Sequence, residues 1–169
     1  NLGELTQAIT YLIDNYNRVE DITVDELMQF VHGPDFPTGA QIVVGDELKE
    51  AYATGKGRVV MRASAEIEEA RNDRFRIVFT AIPYQVNKAT LIADTAQLVR
   101  DKKLEGISDL RDESDRDGMR IVFELKRGEL PDVVLNNLYK HTRLQMSYGI
   151  TLLAISGGRP RVLNILQII

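Results

Sequence analysis

The feature that most constrains this chain is a change of hydrophobic period at Arg58. Ahead of it, apolar residues recur mainly at helical spacing. From it onward they alternate, with Val59, Met61, Ala63, Ala65 and Ile67 on one side and Arg58, Arg62, Ser64, Glu66 and Glu68 on the other. Successive side chains of a pleated strand point to opposite faces, so a run of this length predicts a strand with one solvated face. Arg71-Asn72-Asp73-Arg74 supplies a polar turn, and Phe75, Ile77, Phe79 and Ala81 resume the alternation. The two runs predict an antiparallel hairpin. Pro83 ends it, because proline has no N–H to give to a ladder.

The remaining pattern repeats that plan. Asn87 is placed to cap a helix whose face is Leu91, Ile92, Thr95, Leu98, Val99 and Lys102, and Gly106 stops it. Ile107 to Leu110 and Met119 to Leu125 predict a second hairpin around an acidic loop. Pro131 sits where the first turn of another helix is expected, with Val134, Leu135, Leu138 and Tyr139 on one face. Ile150 to Ile155 and Arg161 to Leu163 flank Gly157-Gly158 as a third short hairpin. Helices covering one face of antiparallel hairpins make an α+β fold, a two-layer sandwich. Its N-terminal lead-in is helical. Leu2, Leu5, Ile9, Leu12, Ile13 and Tyr16 share a helical face, and Thr23 with Glu26 reads as a capping box. The break at 33–39 predicts a division into a lead-in (1–38) and an α/β domain (39–164). Residues 165–169 are expected to open a further helix, and the missing Met and apolar end are expected of a piece of a longer protein.

Bulk properties exclude several classes. With 44% hydrophobic and 27% charged residues the chain can bury a core. No apolar run reaches the length of about 18 residues that a bilayer span needs, and no basic-then-apolar leader opens it. The absence of cysteine removes disulfides and thiolate chemistry and fits a reducing compartment. A net charge of −4 dilutes 21 basic residues among 25 acidic ones, so any polyanion contact must come from a local strip.

No catalytic grouping stands out. Glu113, Asp115, Asp117, Gly118 and Glu124 fall at calcium-loop spacing, but Arg116 and Arg120 intrude and Met119 onward alternates as a strand where that motif needs a helix. Gly55-Lys56-Gly57 lacks the upstream Gly and the following Ser or Thr of a phosphate loop. His32 and His141 have no evident carboxylate and Ser beside them, and Glu68-Glu69 and Asp112-Glu113 read as solvated charges. Basic residues are better placed: Lys56, Arg58 and Arg62 on one strand, Arg74 and Arg76 on its partner, and Lys88 at a helix start, where Asn87 and first-turn amides suit a phosphate. Ordinary solvated surface remains the alternative for this set.

Five stretches carry a resemblance: Gly33-Pro34-Asp35-Phe36-Pro37-Thr38-Gly39, Ala51-Tyr52-Ala53-Thr54-Gly55-Lys56-Gly57, Ile82-Pro83-Tyr84-Gln85-Val86-Asn87-Lys88, Glu105-Gly106-Ile107-Ser108-Asp109-Leu110-Arg111-Asp112-Glu113-Ser114-Asp115 and Val134-Leu135-Asn136-Asn137-Leu138-Tyr139. They resemble the DNA gyrase A-subunit family of type IIA topoisomerases, and the paralogous A subunits of topoisomerase IV share much of them. The segment looks like the tower region of the breakage-reunion core. The resemblance implies an enzyme that cuts, passes and reseals duplex DNA, cytoplasmic, acting as an A-subunit homodimer with a B subunit that brings ATP and Mg2+; no membrane and no cofactor on this segment are implied. The family's nucleophile is a tyrosine preceded by arginine; no Arg-Tyr pair occurs here, so no catalytic residue and no activity of the segment alone are expected. The expected role is to support and contact the DNA arms, with Lys56, Arg58, Tyr84, Gln85, Asn87 and Lys88 as contact candidates. The family commonly has Arg where this chain has Ala53, which removes a charge beside Lys56. A purely structural module that never meets DNA is the other reading.

Overall fold

The computed structural model describes residues 1–70 and 72–169; Arg71, assigned above to the first polar turn, lies outside the described residues. In chain order the elements are α1 (Leu2–Asp14), a 3-10 turn (Tyr16–Asp21), α2 (Val24–Met28), β1 (Gln41–Val43), α3 (Asp46–Thr54), β2 (Lys56–Arg62), β3 (Ser64–Ala70) and β4 (Arg74–Ala81). Then come α4 (Lys88–Arg100), β5 (Ile107–Asp112), β6 (Ile121–Leu125), α5 (Pro131–His141), β7 (Gln145–Thr151), β8 (Leu153–Ser156), β9 (Arg159–Val162) and α6 (Ile165–Ile168). Helices and antiparallel pairs alternate as the α+β class requires. The chain divides into two units, one of Asn1–Asp35, Ile42–Val60 and Ser147–Ile169, the other of Phe36–Gln41 and Met61–Met146.

The long alternating run is where expectation and structure part. It is two strands in two sheets: β2 belongs to the order β1-β2-β7, and β3 to the order β3-β4-β6-β5. Between them the Ala63 amide donates to the Leu144 carbonyl at 2.8 Å, and the β3–β4 register shifts between Ser64 and Ala65. Both halves stay extended across the break, so a period of two runs through it without a mark.

In the second unit β4 and β6 are the central strands, with Ile77 opposite Phe123 and Phe79 opposite Ile121. One face of this sheet carries Ile77, Phe79, Ile121, Phe123 and Leu125, joined in one core by Leu91 of α4 and by Val134 and Leu138 of α5. Phe79 meets Phe123 edge-on at 5.4 Å and Tyr139 at 6.2 Å, and the Tyr139 hydroxyl donates to the Ala63 carbonyl. α4 and α5 begin as their sequences dictate. Asn87 Oδ1 accepts the Thr90 amide at 2.9 Å, and Pro131 occupies the first turn of α5, where its missing N–H costs nothing. The other face is less wet than alternation alone predicts. Val78 and Val122, directly paired across β4 and β6, are fully buried. Arg76, Glu124 and Arg111 neighbour them on that face and are tied into ion pairs.

In the first unit Ala8, Leu27, Val31, Leu48, Ala51, Tyr52, Val59, Ile150 and Ile165 are buried. The apolar stripe of α1 forms, yet Leu2, Leu5, Ile9 and Ile13 stand exposed and Ala8 is the buried residue of that helix. The cap of α3 is Gly45, with Asp46 its first helical residue. One local expectation is corrected. The strand expected over Ile150 to Ile155 divides at Leu152, whose amide donates to the Gly55 carbonyl at 2.7 Å. Beyond it β8 and β9 pair as a two-stranded ribbon, Leu153 opposite Val162 and Ser156 opposite Arg159. Its turn is Gly157-Gly158, with φ of 60° and 75°. Two consecutive left-handed residues are what a tight hairpin turn matched to strand twist needs, and two glycines supply them without strain.

Candidate nucleic-acid interface

The six candidate residues fall into two groups on different units. Tyr84, Gln85, Asn87 and Lys88 lie on the junction that follows β4, within the second unit. Ile82 is buried and anchors its start. The Val86 amide donates to the Pro83 carbonyl at 3.2 Å and closes a turn. Gln85 takes a φ of 65° in that turn, a left-handed conformation that costs a residue with a Cβ roughly 1 kcal/mol or more. The Tyr84 ring packs 5.7 Å from that of Phe36, tilted by 38°. Helix α4 then starts with no acidic residue in its first turn, so the partial positive charge of its N-terminus is not offset there.

The polar groups of Asn87 and Lys88 are already engaged. Asn87 holds the Thr90 amide. Lys88 Nζ sits 2.8 Å from Asp112 Oδ2. The Lys88 hydrogen bond, with help from Ser114, holds the Asp112 carboxyl down at about 2. Asp112 is far from Lys88 in sequence, so no local pattern announces the pair.

Lys56 and Arg58 open β2 in the first unit. Gly55, at φ 78°, turns the chain out of α3. Thr54 Oγ1 donates to the Lys56 carbonyl at 2.8 Å and fixes that turn. The Lys56 side chain is exposed and meets no carboxylate among the described residues. Arg58 is different: its guanidinium binds Glu47 Oε1 at 2.8 and 3.1 Å. Both side chains are largely in water, where such a pair is worth at most about 1 kcal/mol.

The other basic residues considered are mostly spoken for. Arg62 bonds Gln145 and lies 5.3 Å from the Tyr139 ring. Arg76 and Arg120 converge on Glu68, which Arg120 above all and then Arg76 keep below the usual carboxylate range. Arg111 ties Asp109, Glu113 and Glu124 together. The outer face of that sheet is thus a lattice of mutually neutralised charges. In the acidic loop Asp115 accepts the Asp117 amide and pairs with Gly118 as a tight turn, while Glu113 is taken by Arg111 and Arg120. Among the described residues no group of three His, Cys, Asp or Glu stands ready to hold a metal ion. His32 Nδ1 lies 3.6 Å from Glu4 Oε1.

The arrangement can therefore present cations and helix amides to an anion, and among the described residues it assembles no nucleophile with a base. Arg159 and Arg161, exposed on the β8–β9 ribbon, lie outside the set that sequence reasoning selects. One signal could have found them: no acidic residue follows Asp132.

The sequence profile of the DNA gyrase/topoisomerase IV A-subunit family matches residues 1–169. The DNA gyrase A subunit of Clostridium acetobutylicum is 52% identical over 169 residues, covering 100% of this chain and 20% of that protein. That of Pseudomonas aeruginosa is 53% identical over 167 residues, 98% of this chain and 18% of its own length. A probable chloroplastic/mitochondrial DNA gyrase A subunit of Oryza sativa subsp. japonica is 48% identical over 171 residues, 100% of this chain and 18% of its own. The chain spans about a fifth of the length of the curated relatives it matches.

Proposed function

We propose, starting from the fact that this chain belongs to the DNA gyrase/topoisomerase IV A-subunit family, that it is the tower segment of such a subunit. In this reading it works within an ATP-dependent, cytoplasmic type II topoisomerase, where it supports and contacts the arms of a duplex that another part of the same protein cuts. The observation that carries the reading is the family match over the whole chain at about half identity. The absence of an Arg-Tyr pair supports a segment without the nucleophile, inactive alone. ATP and Mg2+ enter with the partner B subunit, and no step is assigned to a metal on this segment.

The geometry supports a positioning role. A capped helix follows a turn locked by a left-handed Gln85, and such strained backbone gathers at sites whose geometry is functional. Lys56 is the contact best supported, since no carboxylate among the described residues competes for its charge. Lys88 serves a phosphate by sharing its ammonium with Asp112. Contacts of this kind hold DNA in register without reading its sequence.

The test is DNA binding by the full-length A subunit with its B partner across a salt series. Lys56→Gln should lower the magnitude of the log–log salt slope by about 0.9, one phosphate's worth of released counterions. Asp112→Asn should tighten binding, since it frees Lys88 and removes a repelling carboxylate. An unchanged slope and an unchanged affinity in the two variants would refute the contact assignment. The Lys88–Asp112 and Arg58–Glu47 pairs favour one rival, a strut whose cations serve only its own fold, and that result would establish it.

A further inference from the structure

We infer that the β8–β9 ribbon is a second DNA-contacting element, with Arg159 and Arg161 laid on phosphates beside Lys56; the inference rests on the DNA reading above. In a paired ribbon, directly opposed residues share a face and alternate residues along a strand share it too. The register therefore sorts this ribbon into two faces. Arg159 and Arg161 stand with Ser156 and Ala154; Leu153 and Val162 stand with Ile155 and Pro160.

The arginine face is open and cationic. Its cross-strand neighbours are a serine and an alanine, too short to screen a guanidinium. Both arginines are exposed, and neither meets a carboxylate among the described residues. Two residues apart on one strand, they lie about 7 Å from one another at the backbone. Nor does a neighbouring acid dilute them, since the chain from residue 133 onward contains no Asp or Glu. In a protein of net charge −4, that makes the ribbon a local exception matched to a polyanion.

The same ribbon brings a third cation in. Its base is fastened to the turn before Lys56 by the Leu152 amide on the Gly55 carbonyl. Leu163 and Val162 press against Gly55 so closely that a Cβ there would lie 2.7 Å from the Leu163 carbonyl carbon and 2.9 Å from Val162 Cγ1. Lys56 follows Gly55 and Arg161 precedes Val162, so the two cationic stretches of backbone run close together in the first unit, with Arg161 on the ribbon face opposite Val162. The apolar face, with Ile155 81% exposed, would suit a protein surface. The charge asymmetry decides for DNA, and Pro160 keeps the second strand from accepting a further one along its length.

The experiment uses the full-length A subunit with its B partner, a mixed-sequence duplex and dissociation constants measured from 0.05 to about 0.5 M salt. Arg159→Gln combined with Arg161→Gln should make the slope shallower by about 1.8 and weaken binding roughly ten- to a hundredfold at 0.1 M salt. Adding Lys56→Gln should remove about one more unit of slope. Ile155→Ser with Leu153→Ser should leave the slope alone. If the wild type is steep and the arginine pair leaves it unchanged, the ribbon does not touch DNA while the tower reading stands. A wild type with no salt dependence overturns both. Loss of binding in the serine pair with none in the arginine pair would instead make the ribbon a protein-docking element and overturn the inference. Amide exchange at Leu152 confirms in each variant that the ribbon base is intact.

Discussion

Gly55 is the position where a single methyl group tests most of the first unit's architecture. Its φ of 78° already disfavours a Cβ, at about 1–2 kcal/mol for alanine. Its surroundings add a separate cost, because the new atom would overlap the Leu163 carbonyl, a backbone group that cannot swing aside. Relief requires the ribbon base to move, which breaks the Leu152 amide's bond to the Gly55 carbonyl at a cost of about 1–3 kcal/mol for groups left unpaired. Alanine's smaller freedom in the unfolded chain offsets about 0.4–1 kcal/mol. The net expectation for Gly55→Ala is a loss of roughly 2–4 kcal/mol. Gly158→Ala is the control: its φ of 75° is similar, and a Cβ there meets nothing within 4 Å. It should lose only the conformational part, about 1 kcal/mol. Amide hydrogen exchange at Leu152 and Leu163, with urea midpoints, compares the two. Equal losses in the two variants would refute the close approach of the ribbon to Gly55.

Three further outcomes are expected. Lys88→Met should let the Asp112 carboxyl rise from about 2 toward its ordinary 3.8, read by NMR titration. In the wild type that depressed value means stability fully present above 3.8 and lost as pH falls through 2, so the variant should lose its dependence in that window. Burial, followed by Glu4 and Asp35, pushes the Tyr52 hydroxyl up to about 12 from 10. The folded state then keeps a proton that the unfolded state releases, so stability should fall as pH rises from 10 to 12. The drop is up to about 2.7 kcal/mol at 1.36 per unit; Tyr52→Phe should flatten it in urea titrations at alkaline pH. Phe79→Ala removes a fully buried ring packed against Phe123 and Tyr139 and should cost about 3–5 kcal/mol in thermal or urea unfolding.

What the sequence made legible was local. Asn87 and Pro131 announce helix starts because caps act within one turn of chain, and Gly157-Gly158 announces its hairpin for the same reason. The α+β class follows from the switch in period. What stays hidden is set by partners distant in sequence. Ala63 reads as one more inward residue, and its bond to Leu144 and the register shift beyond it reveal a boundary. Val78 looks like an outward position until Val122 and the arginine lattice are placed around it. In the candidate interface, composition marks Lys88 and Arg58 as available cations. Asp112 and Glu47 hold them, whereas Arg159 and Arg161, on a strand with nothing unusual in its pattern, stand open.

The division of the alternating run has a consequence for how the chain is made. The second unit's main stretch, Met61–Met146, is threaded between two parts of the first, which resumes only at Ser147. During synthesis from the N-terminus the second unit is complete in a nascent chain while β2 still waits for β7, its neighbour in the sheet, to leave the ribosome. Domains fold as units as they emerge, and contacts distant in sequence form slowly. The interrupted unit therefore closes last. Its exposed α1 stripe and half-made sheet are the apolar surfaces left uncovered in the interval.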